Sequence, residues 1–200
     1  MQSHDDSPSL RRALLLSVVS GLLMCMIGFL FTGCDESVAA AGGPSSERVE
    51  RGRYLVAIAG CNDCHTPFKM GAGGPEPDMA RMLSGHPEGQ VMPAPPRLGE
   101  SPWVWLGAAT NTAFAGPWGV SYAANLTPDE MTGIGSWNEE IFVRTLRTGR
   151  HWGQSRPILP PMPWQAYRNM TDDDLKSIFS YLRTIKPIGN TVPLAQPSNG

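Results

Sequence analysis

A surplus of charge of either sign is missing from this chain. Its 200 residues carry 16 Lys and Arg against 18 Asp and Glu, a formal net charge of −2, and no basic patch of the kind nucleic acid requires stands out. Nucleic-acid binding is thereby excluded. Cysteine is scarce as well, with four in the chain. No second cysteine pair and no His-x₃₋₅-His partner follows Cys61 and Cys64, which argues against a zinc site. Internal repeats are absent and aromatics are modest at 8%. Long hydrophobic runs are limited to one, Ala13 to Phe31.

Against these absences, one stretch organises the rest: Gly60-Cys61-Asn62-Asp63-Cys64-His65. Two thiols three positions apart followed at once by histidine are the sequence form of covalent c-type haem attachment. Each cysteine adds to one vinyl group at the macrocycle edge, and the adjoining imidazole ligates the iron. Cys61 and Cys64 are therefore the expected covalent haem attachment sites, and His65 the expected axial ligand. A thioredoxin-like pair would want a βαβ setting, whereas the residues before Cys61 read as helix. A disulfide is the other alternative in an oxidising compartment, but it has no use for an adjacent imidazole.

The N-terminus carries an address. Arg11 and Arg12 precede the apolar run, which ends at Thr32-Gly33-Cys34, the order of a secretory signal. The run is also long enough for an uncleaved membrane anchor. Phe31-Thr32-Gly33-Cys34 resembles the lipobox of bacterial lipoproteins, which implies a signal peptide over residues 1–33 and acylation of Cys34. Diacylglyceryl plus N-acyl chains anchor stably. Either reading puts the domain outside the cytoplasm, on the bacterial periplasmic side and tethered to a membrane, with Asp35 favouring the inner one. Residues 34–45 read as a flexible tether, 46–190 as one folded domain and 191–200 as a C-terminal tail.

Within the domain, Ser46 is expected to cap a helix running to Gly60, and Gly52 inside it to mark close approach of another helix. Ser136 and Glu139 form a capping box for a helix ended by Gly149. Thr171 caps the last and clearest helix, whose Leu175, Ile178, Phe179, Leu182 and Ile185 make one apolar face. From Thr66 to Ala124 periodic segments are few and Gly and Pro are abundant, so a long shaped loop is expected, with Met79 to Leu83 a short helix.

The iron's sixth position has several candidates. Met162, in Leu159-Pro160-Pro161-Met162-Pro163-Trp164, sits on backbone stiffened by proline and is the preferred axial ligand. Met170 reads as a hydrophobic staple against Leu175. Met92, His86, His151 and an open site remain alternatives.

The helix running into Cys61-Asn62-Asp63-Cys64-His65, the Pro-Met-Pro loop and the last helix bearing Tyr181 and Leu182 resemble class I c-type cytochromes. Arg51-Gly52-Arg53-Tyr54-Leu55, Leu83-Ser84-Gly85-His86-Pro87, Asn125-Leu126-Thr127-Pro128, Leu146-Arg147-Thr148-Gly149 and Pro160-Pro161-Met162-Pro163-Trp164 are similar to monohaem cytochromes related to the cytochrome subunits of periplasmic alcohol and sugar dehydrogenases. The resemblance implies an all-α class I cytochrome c fold, three to five helices around one covalent haem c, with long Gly/Pro-rich loops. It implies first and last helices crossing near Gly52 and Tyr181, and His65 and Met162 as axial ligands. The expected function is transfer of single electrons between redox protein partners, without catalysis at the iron. Two rivals stand beside it: a haem enzyme or gas sensor with a labile sixth ligand, its pocket formed by 66–124, and a non-haem lipoprotein with a disulfide or metal at Cys61 and Cys64.

Overall fold

A computed structural model describes residues 43–96 and 102–198. The apolar run, Cys25 and Cys34 lie outside the described residues. Among those described, no helix is long and apolar enough to cross a membrane.

Helix α1 (Ser46–Ile58) is capped by Ser45, one residue earlier than expected, whose hydroxyl accepts from the Arg48 amide at 3.3 Å. A short helix α2 (Cys61–His65) follows at once. Helix α3 (Glu139–Thr148) takes its cap from Asn138 rather than Ser136: the Asn138 side chain accepts from the Ile141 amide at 2.8 Å. Gly149, at φ 64°, ends it in the left-handed region that glycine enters without strain. A short α4 (Trp164–Tyr167) precedes α5 (Asp172–Leu182), where Thr171 accepts from the Asp174 amide and Asp172 to Asp174 occupy the positive end of the helix dipole.

The core follows from the apolar faces of these helices. Leu55 and Val56 of α1, Phe142 and Leu146 of α3, and Leu175, Ile178, Phe179 and Leu182 of α5 bury one another together with Leu83 and Ile134. The rings of Phe142 and Phe179 are tilted, with centroids 5.4 Å apart. Helices α1 and α5 touch backbone to backbone at Gly52. A Cβ added there would lie 1.9 Å from the Ser177 carbonyl oxygen and 2.8 Å from Tyr181 Cβ, so only glycine permits the crossing.

The all-α expectation is wrong. Two antiparallel sheets occupy the stretch expected to be loop, and the chain is mixed α/β. Strand β1 (Phe68–Gly71) pairs with β2 (Gly74–Pro77), and β3 (Leu106–Gly107), β4 (Ala113–Gly116) and β5 (Gly119–Tyr122) form the second sheet. The hairpins close through two-residue turns, Ala72-Gly73 and Pro117-Trp118, flanked by Gly74 at φ 115° and Gly119 at φ 96°. The glycines taken as loop markers are turn residues between very short strands. Proline survives in β2 because a strand of a two-stranded sheet has an edge that needs no partner. Met79–Arg81 is a single 3₁₀ turn.

The C-terminal segment packs against the domain at two points. Asn190 is 2% exposed, and Gln196 exchanges both backbone hydrogen bonds with Val120 at 2.8 and 2.9 Å.

Candidate functional site

Gly60, at φ 68°, turns the chain sharply between α1 and α2. In the helical turn that follows, positions i, i+3 and i+4 share one face, so Cys61, Cys64 and His65 come together. All three line an apolar crevice enclosing about 590 Å³ of atom-free space, its mouth included. Its other walls are Leu126, Phe142 and Leu146, Ile178 and Leu182 from α5, and Met162, Pro163, Tyr167 and Met170 from the segment around α4.

His65 is buried, and its Nδ1 lies 2.7 Å from the carbonyl oxygen of Ala124. A carbonyl can only accept, so Nδ1 carries the proton and Nε2 keeps its lone pair. Burial lowers the His65 pKa, with the bond to Ala124 opposing. Cys61 and Cys64 are free thiols. Burial pushes Cys61 up to about 11, and burial with the nearby Asp63 charge raises Cys64 as well. Neither has the lowered pKa of a redox-active thiol pair. No cluster of three or more His, Cys, Asp or Glu suited to a metal ion occurs among the described residues.

The backing of His65 is built by the long 66–124 stretch. Gly85 N–H donates to the His65 carbonyl at 2.7 Å, His86 N–H to Ala123 at 2.9 Å and Leu126 N–H to Leu83 at 2.9 Å. Thr66, fully buried, receives the Leu83 amide on its hydroxyl at 2.9 Å. Residues 83–86, with Leu83 at φ 59° and Gly85 at φ 77°, thus form a bridge between His65-Thr66 and Ala123-Leu126. Among the described residues of 66–124, none lines the crevice.

Met162 lines the crevice with the three motif residues. Met170 lines it too, which the staple reading did not anticipate, although it also packs on the core. The other sixth-ligand candidates lie elsewhere. His86 is fully buried between the Thr112 hydroxyl at 3.0 Å and the Gln90 carbonyl at 2.9 Å. His151 stacks edge-on against Trp137 at 5.3 Å, and Met92 faces the Gln90 amide. The Ala124 carbonyl escaped the sequence reading because a backbone acceptor has no residue signature.

No protein-family model matches the chain. It is similar to the fructose dehydrogenase cytochrome subunit of Gluconobacter japonicus, 30% identical over 163 residues covering 81% of this chain and 26% of that protein. It is also similar to the cytochrome c subunit of the quinone alcohol dehydrogenase of Gluconobacter oxydans, 25% identical over 70% of this chain and 22% of the relative. A third relative is the gluconate 2-dehydrogenase cytochrome c subunit of Pantoea cypripedii, 26% identical over 66% and 22%. The chain spans about a quarter of the length of these proteins. The resemblance read from the sequence stands: the homologues of this chain include cytochrome c subunits of fructose, alcohol and gluconate dehydrogenases.

Proposed function

We propose that this chain is a cytochrome c that carries one covalent haem c in the crevice and relays single electrons to and from redox protein partners. The observation that carries this reading is the convergence of Cys61, Cys64, His65 and Met162 on one apolar cavity.

The residues present fit that group. Two unpaired thiols on the same helical face as an imidazole can form thioethers while the imidazole ligates iron. The Ala124 carbonyl fixes the tautomer that leaves Nε2 free and holds the ring orientation. Leu126, Phe142, Leu146, Ile178 and Leu182 exclude water from the cavity. When bound, the haem supplies a ferric/ferrous couple. Met162 would offer its thioether as the second protein ligand beside the imidazole, a donor that would deny the iron to oxygen and favour the reduced state. Among the described residues of 66–124, the segment Leu83 to His86 supports His65 and Thr66 from behind.

The remaining parts of the reading concern location and assembly. Residues 1–33 act as a lipoprotein signal, Cys34 is acylated, and residues 34–45 tether the 46–190 domain to the periplasmic face of a bacterial membrane. The dehydrogenase subunits among the relatives support a partner of dehydrogenase type.

Haem staining of the denatured protein after expression with cytochrome maturation machinery tests the central claim. The wild type should stain and Cys61→Ser/Cys64→Ser should not; an unstained wild type overturns the reading. Carbon monoxide binding to the reduced native protein would instead establish an open sixth site.

A further inference from the structure

Gly85 is fixed at φ 77°, and its empty side faces the backbone of Ala123 and Ala124. A Cβ there would lie 2.5 Å from the Ala123 oxygen, 2.6 Å from the Ala124 carbonyl carbon and 2.7 Å from its oxygen. That last atom is the acceptor for His65 Nδ1. At the same time the Gly85 amide donates to the carbonyl of His65 itself. Gly85 therefore touches both ends of the relationship that orients the imidazole, and it does so without lining the crevice.

The bridge is clamped from behind by Asn190. Its amide donates to the carbonyls of Ser84 at 2.7 Å and His86 at 2.8 Å, the two neighbours of Gly85, while its carbonyl accepts from Arg81 at 3.1 Å and the Glu88 amide at 2.9 Å. Both polar atoms of this buried side chain are used to hold residues 81–88 in place.

We propose that Gly85, held by Asn190, is a positioning residue for His65: it lets the Ala124 carbonyl reach Nδ1 and so sets how strongly the imidazole donates to bound iron. The inference rests on the haem reading above. A carbonyl accepting from Nδ1 makes the imidazole a stronger donor, and a stronger donor favours the oxidised iron. Displacing that carbonyl weakens the bond and moves the reduction potential upward.

The test uses the haem-loaded protein, with two readouts: the potential, and the exchange-protected Nδ1–H proton of His65 by NMR in the reduced state. Gly85→Ala should raise the potential and speed exchange of that proton. Asn190→Ala adds no atom to the interior, so it carries the test if Gly85→Ala fails to mature; a smaller shift of the same sign is expected. Gly52→Ala, a steric insult of similar kind at the α1–α5 crossing, should lower stability while leaving both readouts in place. An unchanged potential and unchanged proton in the matured Gly85→Ala or Asn190→Ala protein overturns the inference, as does an equal shift in Gly52→Ala. Failure of the wild type to stain for haem would instead sink the underlying reading.

Discussion

The hydroxyl of Tyr167 donates to the carbonyl of Ala59 at 2.5 Å, which ties α4 to the residue two positions before Cys61. The segments that present Met162 and the Cys-x-x-Cys-His turn are thus joined at the crevice wall by a side chain of the wall itself. Burial, with smaller contributions from Cys61, Cys64 and Asp63, pushes the Tyr167 phenol up to about 12, so it remains a donor throughout the neutral range. Tyr167→Phe leaves the Ala59 carbonyl without this partner and should cost about 1–3 kcal/mol. Chemical denaturation of the haem-loaded protein checks this, and an unchanged midpoint would show that the tie is not needed.

Met162→Ala should remove the sulfur-to-iron charge-transfer band while the haem stays attached through Cys61 and Cys64. Because Met170 lines the same crevice, it is the decisive control. Met170→Ala should keep the band. The reverse pattern would transfer the ligand role to Met170.

Gly52→Ala should destabilise by about 3 kcal/mol, since the new methyl meets the Ser177 carbonyl, which is backbone and cannot rotate away. Helices α1 and α5 must then separate. A thermal or denaturant melt reads the loss directly, and a midpoint equal to wild type would mean that the crossing is looser than its geometry states.

The pH dependence of stability should carry a His86 component. Burial, aided by the nearby Arg81 charge and opposed by the bond to Gln90, holds this imidazole below its ordinary value. The folded state therefore binds the proton more weakly than the unfolded chain. The associated stability is present above the unfolded pKa near about 6.5 and is lost as pH falls through it toward the folded value. His151 is lowered by burial too, with the same sign, so the measurement is a comparison: the fall in melting temperature from about pH 7.5 to about pH 5.5 should be shallower in His86→Gln than in wild type. Parallel slopes would remove His86 from the account.

What the sequence made legible was whatever repeats at helical spacing or is named by side-chain chemistry. The Thr171 cap, the buried face of α5 and the Gly149 stop could be read because each is encoded within a few neighbouring residues. Gly52 could be read because a glycine inside a helix needs a reason, and the reason is the α5 backbone. Cap positions slipped, from Ser46 to Ser45 and from Ser136 to Asn138, because neighbouring polar residues compete for the same amides. The strands were invisible: each is at most four residues long, too short for alternation to register, and their Gly and Pro content reads as loop. The Ala124 carbonyl and the Asn190 clamp were out of reach for a different reason. They depend on which backbone atoms tertiary folding brings together, and no local pattern records that.

The Asn190 clamp also has a bearing on the order of events during biogenesis. It closes onto Ser84 across 106 positions of chain, a long loop whose closure entropy must be met before its contacts are gained. The thiols of Cys61 and Cys64, by contrast, lie three positions apart on the single turn of α2. On the haem reading proposed above, attachment at Cys61 and Cys64 does not wait for that closure, and the support behind the imidazole is completed only when the far end of the chain arrives.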